Sequence, residues 1–175
     1  MKRTLWVIML LFLCANVFAG NGNTVKLLAG SVDVLKEDAT ALLEFDYTNT
    51  TWEENDDYKT WCGTDYDERV LLSKSAFELT FNATSNGLKI TKGQDAKYKI
   101  VFRVIDLEQH QPFRGGWGQM QMEVTGKIDV INIATGENVL SLQLTTIQGK
   151  PDYSIADRIK KAFSNVAERL FGKIK

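Results

Sequence analysis

Cys62 and His110 have the side chains of a thiol nucleophile and its base. A thiol enzyme needs that pair within hydrogen-bond reach. Neither residue sits in a local signature, and chance supplies one Cys with one His in most chains of this length. Cys62 reads first as a small, half-buried hydrophobe. A usual zinc site needs four ligands, which one Cys and one His cannot build without carboxylates. The acids from Glu53 to Asp57 and from Asp65 to Glu68 offer the hard oxygens that calcium takes, but no EF-hand spacing is present. A solvated loop and a helix amino terminus account for them as well. A carboxylate pair could also serve glycoside hydrolysis, where the separation of the two groups decides the chemistry. No G-x-S-x-G elbow, Walker loop or dinucleotide fingerprint occurs. Gly115-Gly116-Trp117-Gly118 is too short and precedes a strand, not a helix. The expectation is therefore no catalytic residue, no metal and no cofactor.

Aromatic residues offer a different kind of site. Trp52, Tyr58 and Trp61 stand in one polar stretch, and Trp117 stands with Arg114 in another. Aromatic and Arg side chains among polar neighbours are common interface anchors. These five residues form the expected binding surface, and the simpler alternative is that the rings cap the ends of a sheet.

Composition limits the functions these residues can serve. The formal net charge is −1, which does not suggest a nucleic-acid binder. Acids dominate from Glu37 to Arg69, and bases dominate the tail, with Arg158, Lys160, Lys161, Arg169, Lys173 and Lys175 against Asp157 and Glu168. Met1-Lys2-Arg3 followed by an apolar run from Thr4 to Cys14 and by Val17-Phe18-Ala19 reads as a secretory signal peptide cut after Ala19. The run is shorter than the roughly 20 apolar residues of a membrane-spanning helix. Lipoprotein cleavage before Cys14 would put bulky Leu13 where a small residue is wanted. The expectation is an exported protein, periplasmic or secreted and not lipid-anchored, with residues 1–19 removed and 20–175 forming a single domain. It has no transmembrane span after cleavage. Cys62 then remains as a single thiol in a potentially oxidising compartment.

Period-2 and period-3.6 patterns outline the elements. Ala41, Leu43, Phe45 and Tyr47 alternate with mostly polar neighbours over 40–48, and Ser31 to Leu35 suits a short earlier strand or an extended lead-in. The stretch 49–63 carries turn residues and reads as an irregular loop. Thr64 suits a helix N-cap, and Leu72, Ala76, Phe77, Leu79, Phe81 and Ala83 make the apolar face. Asn86-Gly87 would supply a left-handed stop. Leu88 and Ile90 suit a short strand, and longer strands follow over 97–104, 119–134 and 139–146, the last two as a hairpin. A final helix after Pro151, with a Ser154 and Asp157 capping box, draws a stripe through Ile155, Ile159, Ala162, Phe163, Val166, Leu170 and Ile174. Together these predict an α+β fold: a mainly antiparallel sheet of about four to five strands with two helices packed on one face.

The order of a helix ending in Asn86-Gly87, then Asp95 to Ile100, Gly126 to Val130, the turn Ala134 to Glu137 and a terminal Ala/Leu/Lys helix resembles a group of bacterial envelope proteins. These are similar in outline to the amino-terminal domain of the Tol-Pal translocation protein and to the curli secretion lipoprotein. The matching features are turns and helix ends, so no catalytic residue carries over, and the lipid-attachment cysteine is missing. The resemblance implies an envelope binding or assembly role. Two functions are expected from the sequence: a non-enzymatic exported binding or assembly domain whose partner is an envelope protein or a small ligand, and, as the alternative, a carboxylate- or cation-dependent hydrolase of the acidic loop.

Overall fold

The computed structural model describes residues 23–111 and 118–172, so the expected signal peptide, Arg114 and Trp117 lie outside it. The strands are β1 (Thr24–Gly30), β2 (Thr40–Asp46), β3 (Thr51–Trp52), β4 (Asp56–Asp57), β5 (Lys89–Ile90), β6 (Tyr98–His110), β7 (Gln121–Asn132) and β8 (Asn138–Gln148). The α-helices are α1 (Tyr58–Cys62), α2 (Tyr66–Thr84) and α3 (Ile155–Arg169). The main path across the sheet is β1-β8-β7-β6-β2-β5, with β3 beside β6 and β4 beside β3.

This overturns the expected mainly antiparallel sheet of four to five strands. The sheet has eight strands and is mixed. β6, β7, β8 and β1 form an antiparallel block, whereas β2 pairs in parallel with both β5 and β6, and β3 in parallel with β6. Alternation in a sequence marks a strand but not the direction of its neighbour. Two-residue strands leave no period to read, and the bulge at Leu28 breaks the alternation of β1. The expected strand at Ser31 to Leu35 is a 3-10 turn over Val32–Lys36, held by Ser31 Oγ accepting from the Asp33 N–H at 3.2 Å.

One row across the sheet shows how the layers form. Leu27, Leu142, Ile128, Phe102 and Phe45 lie side by side on β1, β8, β7, β6 and β2, all facing the helices. Phe77 of α2 and Phe163 of α3 close over the Phe45–Phe102 pair with ring centroids 5.4–5.8 Å apart. Both helices therefore cover the same face, and Thr80 and Ser164 hydroxyls join them at 3.0 Å. The row one residue over faces the other way: Lys26, Gln143, Lys127, Arg103 and Asp46.

Several details of the helices differ from the sequence reading. α2 starts after a 3-10 turn at Gly63–Asp65, with Asp65 and not Thr64 at its N-cap position. Its inward residues are Ser73, Ala76, Phe77 and Phe81, while Leu71 and Leu79 point to solvent, 63% and 72% exposed. Gly87 does not adopt the left-handed conformation. It is required for space, since a Cβ there would stand 2.3 Å from the Lys36 carbonyl carbon. Ser154 caps α3 without a side-chain bond, and Arg158 is buried.

α3 descends onto β8 through Gly149. A Cβ at Gly149 would meet the Ala162 backbone nitrogen at 2.7 Å, backbone against backbone, with no side chain free to give way. Gly149→Ala is expected to destabilise the fold by about 1–3 kcal/mol. At roughly 2–4 °C per kcal/mol for a domain of this size, thermal unfolding followed by circular dichroism would resolve the loss.

Candidate functional site: an open stretch of sheet edge

β2 is closed at each end and open in the middle. β5 pairs with Thr40 and Ala41. Beyond Asp46 the chain bends, with the Thr48 N–H donating to Asp46 Oδ1 at 2.9 Å and the Thr50 N–H to the Tyr47 carbonyl at 3.1 Å. It then resumes as β3, whose outer side is taken by β4. Between these covers, Leu42 to Asp46 pair with β6 on one side only. The Thr91 N–H donates to the Ala41 carbonyl across the outer edge at 2.9 Å, so the alternate residues Leu43 and Phe45 turn their own N–H and C=O groups outward. Five residues at about 3.3 Å each make an opening of about 16 Å.

Two troughs flank this opening and share Glu44. One, of about 390 Å³, lies between Leu42, Leu43 and Ile90 on the sheet side and Lys74 and Glu78 of α2. Leu71 occupies the same α2 face one turn before Lys74, and Leu79 adjoins Glu78. The other trough, of about 460 Å³, runs past Phe45, Asp46 and Tyr47 to Asp57, Lys59 and Tyr66. On the solvent face, Glu44 pairs with Lys99 at 3.3 Å and Asp46 with Arg103 at 3.0 Å.

The aromatic residues expected to bind a partner stand behind the second trough. Trp52 and Tyr58 are buried, and Trp61 is half-buried. Trp61 stacks on Trp52 at 3.6 Å and lies under the Arg69 guanidinium, 4.6 Å from the ring centre. Tyr58 stacks on Tyr47 at 5.7 Å and meets Tyr66 edge-on at 6.1 Å. The result is a rigid block whose accessible members are Trp61 and Tyr66. Asp57 Oδ2 caps α1 by accepting from the Thr60 N–H at 2.7 Å.

Cys62 contacts Arg69, with Nη1 3.7 Å from Sγ, and burial pushes its thiol above the ordinary range. The acids of the loop, Glu53 to Asp57, are exposed. Among the described residues no group of three or more His, Cys, Asp and Glu is arranged to hold a metal ion.

His110 instead meets carboxylates that sequence reasoning missed. Glu123 Oε1 lies 3.1 Å from His110 Nε2, and the Gln121 amide nitrogen lies 2.6 Å from the same ring nitrogen. Glu108 stands directly across from Glu123. Asp106 accepts from the Thr51 hydroxyl and from the Glu54 N–H at 3.0 Å. The alternation Asp106-x-Glu108-x-His110 facing Gln121-x-Glu123-x-Thr125 was the available signal, hidden because the expected strand stops at 104.

Burial, then the hydrogen bond and charge of Asp106, then the charges of Glu123 and Glu54, push Glu108 up to about 7. From the ordinary carboxyl value of 4.5 up to about 7, the folded chain keeps this proton while the unfolded chain has released it. Stability therefore falls as pH rises through that window. Glu108→Gln is expected to raise stability above pH 7 by about 1 kcal/mol after allowance for partial solvent access, roughly 2–4 °C in Tm. Melting curves at pH 4 and pH 8 would show the gain at pH 8 only.

No family model and no curated protein matches the chain. Among solved structures, a PelC dodecamer from Paraburkholderia phytofirmans is 18% identical, with 84% of this chain and 96% of that one covered and a TM-score of 0.48. A Xanthomonas campestris protein described as DUF330 is 10% identical, covering 78% and 85% with a TM-score of 0.41. A neuraminyllactose-binding hemagglutinin homolog from Helicobacter pylori is 10% identical, covering 79% and 83% with a TM-score of 0.34. None of the three is a Tol-Pal translocation protein or a curli secretion lipoprotein. All come from bacteria, and likeness at this level assigns no activity, ligand or assembly to this chain.

Proposed function

We propose that this chain is a non-enzymatic binding and assembly domain that works outside the cytoplasm, and that its working surface is the open stretch of β2 with the block of Trp52, Tyr58, Trp61 and Tyr66 at its end. The observation that carries this reading is the outward backbone of Leu43 and Phe45. An uncovered strand edge is a template for another strand, and main-chain hydrogen bonds at such an edge provide affinity. The two troughs offer room for alternate side chains of an incoming strand. Leu71 and Leu79 supply apolar surface along one side.

The incoming strand in this proposal is β1 of a second copy. β1 lies at the far end of the main sheet path and, among the described residues, pairs with β8 alone. Leu28 on it is 49% exposed. Lys26 of β1 and Asp46 of β2 end the same solvent-side row, and Leu27 and Phe45 end the same core-side row. Adding β1 of one copy to β2 of another continues both rows, pairing Lys26 with the Glu44–Asp46 side. Opposite charges placed across strands are favourable. The carboxylate- or cation-dependent hydrolase of the acidic loop has less behind it, because Glu53 to Asp57 spread into solvent.

Sedimentation equilibrium on residues 20–175 tests the proposal. Wild type is expected to associate with rising concentration. Leu43→Pro removes one outward N–H at an edge, where proline is tolerated, and Leu71→Glu with Leu79→Glu charges the apolar border. Each is expected to weaken association at least about tenfold, equivalent to about 1.4 kcal/mol, with an unchanged far-ultraviolet spectrum. A wild type that stays monomeric throughout, with freely exchanging Leu43 and Phe45 amides, would overturn it.

A further inference from the structure

The turn after α2 sets an exposed side-chain amide beside a buried backbone nucleophile. In an Asn-Gly pair the glycine nitrogen can attack the carbonyl carbon of the asparagine side chain, because glycine has no side chain to obstruct the approach and turns freely. Here Asn86 is exposed and Gly87 is buried. The Gly87 N–H donates to Ser85 Oγ at 3.1 Å, and Ser85 is itself 3% exposed. Gly87 also lies so close to the backbone of Lys36 that a Cβ would stand 2.3 Å from its carbonyl carbon. The flanking residues are tied down as well. The Ser85 N–H donates to the Phe81 carbonyl at 2.9 Å and the Leu88 N–H to the Leu35 carbonyl at 3.2 Å. The Lys89 ammonium donates to the Asn82 carbonyl at 2.7 Å and to the Ser85 carbonyl. The Gly87 nitrogen is thus held by its own hydrogen bond and by both neighbours, and it reaches Asn86 Cγ only when residues 85–89 release together.

We propose that Asn86 is a deamidation site gated by the fold, closed while Gly87 sits against Lys36 and reactive whenever the 85–89 segment opens. Local openings of this kind need less free energy than global unfolding. In the open segment the Gly87 nitrogen gives up its proton and forms a bond to Asn86 Cγ. The Cγ–Nδ2 bond breaks, and the nitrogen leaves as ammonia, carrying that proton. Water then opens the succinimide at either of its carbonyls. The product is an aspartyl residue or an isoaspartyl one, whose main chain runs through the former side chain and is longer by one carbon.

The lengthened chain does not fit the slot against Lys36. Displacing Gly87 breaks the Leu88 bond to Leu35 and the bond from the Lys89 N–H to the Ala39 carbonyl at 3.0 Å. β5 is two residues long and pairs with Thr40 and Ala41. Its loss extends the open edge of β2 toward the amino end of that strand. This consequence follows from the local geometry and holds whether or not a second copy docks at that edge.

The test incubates residues 20–175 at mildly alkaline pH, folded in buffer and unfolded in urea, and follows the tryptic peptide 75–89 by mass spectrometry. That peptide also holds Asn82, which precedes Ala83 and serves as the internal comparison. Position 86 is expected to deamidate several-fold faster in urea than in the folded chain, and in urea faster than position 82. Ser85→Ala removes the acceptor of the Gly87 N–H and is expected to raise the folded-state rate several-fold. If that variant does not fold, wild type in rising urea below its unfolding transition gives the same reading, with the rate climbing as the segment opens. The isoaspartyl form, separated by chromatography, is expected to melt below wild type and to exchange quickly at the Lys89 and Thr91 amides, which donate to Ala39 and Ala41. Asn86→Asp carries the same charge on a chain of normal length and is expected to keep both amides slow. Equal rates in the folded and unfolded chain, a folded Ser85→Ala that reacts no faster than wild type, or an isoaspartyl form with Lys89 and Thr91 still protected each overturn the proposal.

Discussion

Phe45 opposite Phe102, ring centroids 4.9 Å apart, is the contact on which the arrangement depends. It joins β2 to β6 in parallel, and parallel neighbours cannot be connected by a tight turn. The chain must leave the sheet after β2 and return before β6, and residues 47–97 make that excursion through β3, β4, α1, α2 and β5. α2 returns over the sheet because Phe77 packs on Phe45 and Phe102. Phe163 docks α3 against the same pair. A phenylalanine cluster of this kind, with Phe77, Phe102 and Phe163 fully buried and Phe45 half-buried, dominates the energetics of a small domain, so one register decides both the layer of helices and the path of the chain.

The same register explains why the sheet has an opening. Strands β6 to β8 follow one another in sequence and pair along most of their lengths. β2 is joined to β6 by a long excursion, and the pieces that cover the outer edge, β5 on β2 and β4 on the following β3, are two residues each. Natural sheets usually blunt such an edge with charge, bulges or brevity. Here Glu44 and Asp46 carry the charge, but Lys99 and Arg103 neutralise it from β6. That leaves the outward N–H and C=O of Leu43 and Phe45 without an electrostatic barrier in front of them. At the opposite edge, Lys26 lacks a charged cross-strand neighbour, since Gln143 stands beside it.

Much of this fold was legible in the sequence, and the illegible parts share a cause. Alternation located β2, β6, β7 and β8, and the stripe through Ile159, Ala162, Phe163 and Val166 located α3, because in each a long run answers to one buried face. Parallel pairing was not legible, since Phe45 gives no sign of whether Phe102 runs with it or against it. The strand expected over 97–104 stops short of the end of β6 because the bulge at Ile105 shifts the polar phase, so Asp106, Glu108 and His110 do not read as one strand face. Leu79 was assigned to the core on spacing alone. Leu71 and Leu79 give α2 apolar residues on two faces, which erases the contrast that period-reading needs. Of the residues expected to bind, Trp52 and Tyr58 went inside because the 49–63 stretch folds down as strand and helix.

Charge burial at one end of the sheet has a simple geometric origin. Leu107, Met122 and Val124 turn into the core, so Glu108 and Glu123 between them must point to the opposite face. Arg158, buried on α3, is on the helix side of the same sheet. Carboxylates and guanidinium are thereby kept apart by a layer of backbone and cannot neutralise each other. Each side needs its own remedy, and the remedies available differ with chemistry. A crowded carboxyl group can take a proton, which is what burial and the neighbouring acids drive Glu108 to do near neutrality. A guanidinium stays protonated throughout the physiological range, so that remedy is closed to Arg158.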